Sequence, residues 1–334
     1  MSKFKIGTVE AIALILSVLA PFTVISLSRT FINETKTSSL INIFYITIIA
    51  LFITLLICKL FSKFPGFDII DISNYLGGTI FKSIFGFIFI FYFIITSAML
   101  LRNFCEGLKV IYYPFTNIIF PFIMLSIILL FVGNLKNFSF EKLFPILGDG
   151  FKSTFILGLS NIGAFSGISY LYFLPPLLKD PSKFKKISIL SIILSGLFIF
   201  ICVATLLFMF SIYISTDEIM PLFSVSRYIE FGNFFLRFES LFLLIWTIAF
   251  CCYLSISFKF STYIFKKIFN LKDSSQLIYT FALLMFILAL LPKNYSICSF
   301  FEIYIYRYIS IAIIILGIVL LLLSNLKKKK KVGD

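Results

Sequence analysis

An all-α polytopic membrane protein is the fold class this sequence predicts, and three observations predict it. Nine long apolar runs fill most of the 334 residues. Hydrophobic residues make up 60% of the chain against 13% charged, with a mean hydropathy of +1.07, too few charges to clothe a soluble particle of this size. Lysines gather at the ends of alternate runs. A hydrocarbon core about 30 Å thick needs roughly 20 apolar residues of helix at about 1.5 Å each, and most of the runs meet that length.

In chain order the runs fall at residues 8–27, 38–61, 80–101, 115–132, 151–174, 187–212, 235–258, 276–291 and 303–326. The first is expected to be a true span rather than a cleavable leader, since it lacks a small-residue cleavage site and continues through Pro21 into Thr30. The next two are uninterrupted apolar helices. The fourth is flanked by Pro114 and carries Pro121, and the fifth is unusually rich in glycine and serine. The last four are again long apolar stretches. Between them, residues 65–79, 133–150 and 213–233 are each too short to form an independent core. The chain is therefore one transmembrane domain over 1–334, ending in a basic tail at 327–334.

Lysine and arginine beside a span resist translocation and so mark the cytoplasmic side. Lys3 and Lys5, Lys59 and Lys63, Lys179 to Lys186, Lys259 to Lys272 and the tail are the rich sites, whereas 213–233 carries Asp217, Glu218 and Glu230 against Arg227. Both termini are then cytoplasmic, which requires an even number of crossings. Nine is odd. The first three runs alternate correctly from the N-terminus and the last five from the C-terminus, so the fault lies between Arg102 and Lys152. Either one helix is missing there or the Pro114/Pro121 segment is re-entrant.

A net charge of +14 does not indicate nucleic-acid binding, because the basic residues sit at the ends of apolar runs and not along one polar face. With no histidine and no paired spacing, the six cysteines read as small apolar residues, and neither metal nor cofactor is expected. No nucleophile elbow, phosphate loop or paired carboxylates appear, so no enzyme is predicted. Intramembrane charge is sparse: Glu10, the Arg102/Glu106 pair, Glu302 and Arg307 are read as interfacial, and no buried carboxylate is expected in a span. Membrane lipid is the expected surrounding.

Solutes bind membrane bundles where helices are broken and unwound backbone faces a cavity. Two runs have that composition. Ser17, Ala20, Pro21 and Thr23 interrupt the first, and Gly158, Ser160, Asn161, Gly163, Ser166, Gly167 and Ser169 crowd about three turns of the fifth. These are the candidate ligand-binding residues. Close helix packing is the competing explanation for such small residues.

Pro221-Leu-Phe-Ser-Val-Ser-Arg227, followed by Gly232-Asn-Phe-Phe-Leu-Arg237-Phe-Glu239-Ser-Leu-Phe and Trp246, resembles the spore germination permease family, the B subunits of germinant receptors within the amino acid–polyamine–organocation transporter superfamily. Lys63-Phe64-Pro65, Leu76-Gly77-Gly78, Leu143-Phe-Pro145-Ile-Leu147 before Gly150, and Phe165-Ser-Gly167 before Leu174-Pro175 are similar to it as well, so the resemblance covers nearly the whole chain. It implies an inverted-repeat (5+5) transporter-like bundle, with repeats at about 8–147 and 151–326 and the first and sixth helices of the family broken around a small-molecule site. Against that plan the chain is short by one helix, between 113 and 145.

The resemblance further implies a subunit that senses a nutrient, commonly an amino acid, and triggers germination together with A and C subunits in the spore inner membrane. Arg227, Arg237, Glu239 and Trp246 then read as structural or subunit-contact residues, Arg237 and Glu239 as an ion pair. The sequence departs from the family at Leu19-Ala20-Pro21-Phe22, where relatives have glycine, and near Ser169, where they often have an acid. Two other functions stay open: an amino acid or cation transporter of growing cells, and a degenerate copy without activity.

Overall fold

The computed structural model describes residues 5–107, 119–217, 220–229, 238–271, 277–293 and 295–331. Among these there is no strand; an isolated parallel bridge pairs Ile6 with Leu178. The chain runs as α1 (Thr8–Phe22), a π-helical turn (Thr23–Leu27), α2 (Ser28–Thr35), α3 (Ser39–Lys63), α4 (Ile69–Gly107) and α5 (Ile119–Gly133). After a stretch of 3-10 and π turns come the one-turn α6 (Ile168–Leu171), α7 (Phe184–Met209), α8 (Ile212–Asp217), α9 (Pro221–Ser226) and α10 (Phe238–Phe269). The chain closes with α11 (Leu277–Leu290), α12 (Tyr295–Tyr304), a second π turn (Ile305–Ile309) and α13 (Ser310–Lys331).

Four helical stretches are long and apolar enough to cross a membrane among the described residues, Thr8–Lys63, Ile69–Asn103, Pro181–Met209 and Phe238–Phe269, with shorter apolar helices beside them. Their outward faces are greasy. Phe44, Ile48, Phe52 and Leu55 on α3, and Ile80, Ile84, Phe87 and Phe91 on α4, are exposed at helical spacing. An apolar stripe of that length faces lipid, not water. The protein is an integral membrane protein built from helices.

Residues 69–77, expected to be loop, are helical. Gly78, at φ 69° and ψ −163°, breaks α4 into this short leading piece and the long span that follows. Only glycine adopts that region freely. Asp68 caps the leading piece, accepting the amides of Ile70 and Asp71 at 3.0 Å each.

The lysine end of the bundle is tied together by polar contacts. Lys63 on α3 donates to Ser324 (3.2 Å) and to Asn325 on α13, Lys82 on α4 donates to Asn270 after α10 (3.0 Å), and Ile6 brackets Leu177 and Lys179 through two backbone bonds of 2.9 Å. Asp68 accepts Lys267 and Tyr263 of α10, each at 2.5 Å, and Lys267 also reaches Asp71 at 2.5 Å. Burial pushes the Asp68 carboxyl upward, and the neighbouring Lys267 ammonium draws it back.

Helix directions bear on the odd span count. Both α4 and α5 lead away from the lysine end. The last residues of α4 meet α12, where Cys298 approaches the carbonyl of Met99. Beyond α5, Ser139 and Lys142 bond carbonyls at the end of α7, with Ser139 N at 3.1 Å from Phe208 O. The joining residues, 108–118, lie outside the described residues.

Candidate functional site

The first expected break is not an unwound segment. Pro21 lies inside α1, and the chain stays helical past it by widening into the π turn at Thr23–Leu27. Proline has no N–H to give the preceding turn, and hydroxyls serve the carbonyls around it. Thr23 donates to Leu19 O (3.2 Å), Ser28 to Thr23 O (2.7 Å) and Thr30 to Ser26 O (3.1 Å). Ala20, Pro21 and Thr23 are buried, whereas Ser17 is half-buried.

The second expected break is a real departure from α-helix. A π turn at Lys152–Ile156 runs into a 3-10 helix, Leu157–Phe165, which bends at Ser166 and Gly167 before α6. Such backbone leaves carbonyls without regular helical partners, and inside a membrane protein they need others. Asn42 on α3 supplies them. Its Nδ2 donates to Thr154 O (2.8 Å) and Gly158 O (3.0 Å), and its Oδ1 accepts Asn161 Nδ2 (3.0 Å). Gly158 is glycine because a Cβ there would stand 2.3 Å from Asn42 Nδ2. Gly158 and Asn161 thus belong to a scaffold holding the segment in place, anchored on Asn42 of α3. Gly163 is buried in the same stretch. Ser160 donates to Leu157 O (2.9 Å) and Glu34 Oε2 (3.3 Å), at the edge of a cleft of about 490 Å³ shared with Tyr308 and Ile311.

Ser166, Gly167 and Ser169 come to the bundle centre. Gly167 backs onto Ile15 of α1, where a Cβ would be 3.3 Å from Ile15 Cγ2, and Ser169 donates to Ser166 O at 2.6 Å. Around them lie buried tyrosines that sequence reasoning missed. Tyr170 shares a hydrogen bond with Ser257 of α10 (2.8 Å), Tyr253 donates to Thr96 of α4 (3.0 Å), and Tyr92 pairs with Ser310 of α13 (3.1 Å). Phe22 meets Tyr253 edge-on at 4.9 Å, so the first helix touches this cluster just before its π turn. The lining offers hydroxyl donors and acceptors on apolar walls, and at neutral pH such groups carry no charge. It can orient a small polar molecule; it holds no acid–base pair.

One carboxylate read as interfacial lies buried inside the bundle. Glu302, on α12, is 3% exposed and accepts Ser26 Oγ of the first π turn at 2.5 Å as well as the side-chain amide of Asn103 at the end of α4. Arg29 of α2 lies within electrostatic reach of it and donates to Ser299 at 3.2 Å. The apolar run begins only at residue 303, so in sequence Glu302 stands at an apparent interface. In fact α12 begins at Tyr295, about 10 Å of helix earlier. Glu10 is exposed and caps α1 by accepting the Gly7 amide. The side chains of Glu106 and Arg307 lie outside the described residues.

Among the structural candidates, Arg227 is exposed with its guanidinium 5.4 Å from the Phe223 ring. Trp246 is buried between Phe242 (5.5 Å) and Phe198 (6.3 Å), placing it inside the bundle rather than on a docking surface. Glu239 opens α10, and Arg237 lies outside the described residues, so their pairing does too. Of the described cysteines, Cys58, Cys202, Cys252 and Cys298 are buried and Cys251 is half-buried, none of them in a disulfide.

Comparison with known proteins matches this chain to the family described as spore germination protein, in two segments, residues 5–120 and 106–297. It is also similar to spore germination protein B2 of Bacillus subtilis (strain 168), at 27% identity over 180 residues, 53% of this chain and 49% of that protein. The match thus spans about half the length of the curated relative.

Proposed function

The chain belongs to the spore germination protein family, and on that footing we propose that it is the transporter-like, germinant-sensing subunit of a receptor that works with A and C subunits. Its ligand is a small nutrient of the amino acid class, taken up between the first helix and the segment 158–169. The observation that carries this reading is the meeting of Phe22, Ser166, Ser169 and Tyr170 with Tyr92, Thr96, Tyr253 and Ser257 at one buried, hydroxyl-lined centre, next to the two stretches of the chain that leave α-helical geometry. Short stretches of π and 3-10 backbone are where a helix can change shape at small cost. A ligand that binds one arrangement more tightly than another shifts the balance between them, and that shift is the signal.

In this reading the end of the bundle that holds Lys63, Lys267 and the tail faces the cytoplasm, which lysine placement supports, and the membrane is the spore inner membrane, a setting the family match supports. The inverted-repeat plan, with halves at about 8–147 and 151–326, is part of the same proposal.

The test is Gly163→Leu or Ser169→Leu in spores whose receptor contains this subunit. Loss of the nutrient response at a normal protein level is expected; a response kept at wild-type sensitivity removes the centre from the function.

Glu302 favours one second reading. A buried carboxylate is what a cation-coupled transporter needs, and it supports the chain as an amino acid or cation transporter. Net uptake of a labelled amino acid by vesicles holding this chain alone decides for transport, and a response that requires the A and C subunits decides for sensing.

A further inference from the structure

We propose that Glu302, Asn103 and Arg29 form a recognition site for the charged α-amino and α-carboxylate groups of a zwitterionic amino acid, a proposal that rests on the sensor reading above. Glu302 is held by two donors, Ser26 Oγ on Oε1 and Asn103 Nδ2 on Oε2. Each carboxylate oxygen can accept more than one hydrogen bond. Asn103 is 0% exposed, and its own carbonyl oxygen, Oδ1, is buried without a hydrogen-bond partner among the described residues. Turning the amide round does not help, because it would set that oxygen against the carboxylate. A buried acceptor left unmet beside a buried carboxylate is costly unless something supplies N–H groups. An ammonium group, with three donors and a positive charge, has the matching chemistry.

The opposite charge is on the same floor of the bundle. Arg29 is nine-tenths buried, and its planar guanidinium is the side chain best shaped to grip a carboxylate. A simple cation entering here would face Arg29, and a simple anion would face Glu302. A molecule bearing both signs answers both. Two π turns lie at the site: Ser26 is inside the first, and Glu302 comes just before the second. Ser26 is also one helical turn beyond Phe22, so the rest of a ligand anchored here extends toward the Tyr253 centre.

The experiment uses the purified full-length chain in lipid nanodiscs, with thermal stabilisation as readout, and nutrient response in spores beside it. The common amino acids are screened, and the strongest is compared with the amine lacking its carboxylate and the acid lacking its amine. Each analogue is expected to bind at least about 100-fold more weakly, as sites with buried polar groups reject ligands that leave those groups unmatched. Glu302→Gln and Arg29→Gln should each weaken the amino acid by about 10-fold or more while narrowing its advantage over the acid and the amine respectively.

Either analogue binding within about threefold of the amino acid overturns the proposal without any mutant, whether or not the variants fold. Unchanged half-saturation in both variants, with the response lost in Ser169→Leu, overturns it and leaves the sensor reading standing. A response to uncharged sugars or nucleosides alone does the same. If stabilisation follows sodium or potassium and not the amino acid, the site is a cation site and the proposal fails. If nothing is bound and spores respond to no nutrient through this subunit, both readings fall.

Discussion

Asp68 and Glu302 are both carboxylates removed from water inside the same helix bundle, and their surroundings differ in kind. Asp68 is saturated: two amides, the Tyr263 hydroxyl and the Lys267 ammonium all donate to it, and Asp71 shares the lysine. Glu302 receives two donors and sits beside an acceptor, Asn103 Oδ1, that receives none. The first arrangement ties α4 to α10 and leaves no capacity for a further ligand. The second leaves hydrogen-bonding capacity unmet by any described residue. Saturation marks a joint, and the unmet acceptor is what the proposed recognition site is built on.

The largest test of that contrast is Lys267→Met. It strands a fully buried carboxylate, and the loss of stability on thermal or denaturant unfolding in detergent should be about 3–5 kcal/mol, with Lys267→Arg recovering most of it. Next comes the scaffold under the unwound segment. Asn42→Leu leaves the carbonyls of Thr154 and Gly158 without their donor and should cost about 1–3 kcal/mol. Gly158→Ala pushes a methyl into the same amide and should cost a similar amount, about 1–3 kcal/mol. Because both changes spoil one contact, the double variant should lose less than the sum.

Glu302→Gln comes third. A neutral side chain of the same shape still meets Ser26 and Asn103, so stability should fall by less than about 1.5 kcal/mol. A loss as large as that of Lys267→Met would erase the distinction between the two carboxylates. The smallest effect belongs to Trp246→Phe. The indole N–H is buried without a partner, so its removal should leave stability within about 1 kcal/mol of wild type, the lost ring volume offsetting the relief of an unmet donor.

The spans were legible because a lipid-facing helix must be apolar along its length, and that requirement is written residue by residue in α3, α4, α7 and α10. The family was legible in the stretch from Pro221 to Trp246. Part of the site was legible as well, since the glycines and serines of the fifth run do mark the place where the backbone leaves α-helix. Other parts were not. Asn42, Asn103 and Glu302 each look like a stray polar residue in or beside an apolar run, and what each does depends on partners 100 or more positions away, such as Thr154 for Asn42 and Ser26 for Glu302. Pro21 misled for a local reason: a proline was expected to break the helix, and hydroxyls of neighbouring serines and threonines let it widen instead.

That widening has a consequence for how the site can be made or lost. A π turn holds one more residue than the α turn it replaces, and one residue of helix is a rotation of about 100°. Wound as ordinary α-helix, the same residues would carry Arg29 round by about that angle, away from the face where Glu302 lies. The π turn thus takes up one residue and keeps Arg29 on that face, so deleting one residue from 23–27 should straighten the helix and leave the face unchanged, whereas one inserted into the flanking α-helix should turn it away.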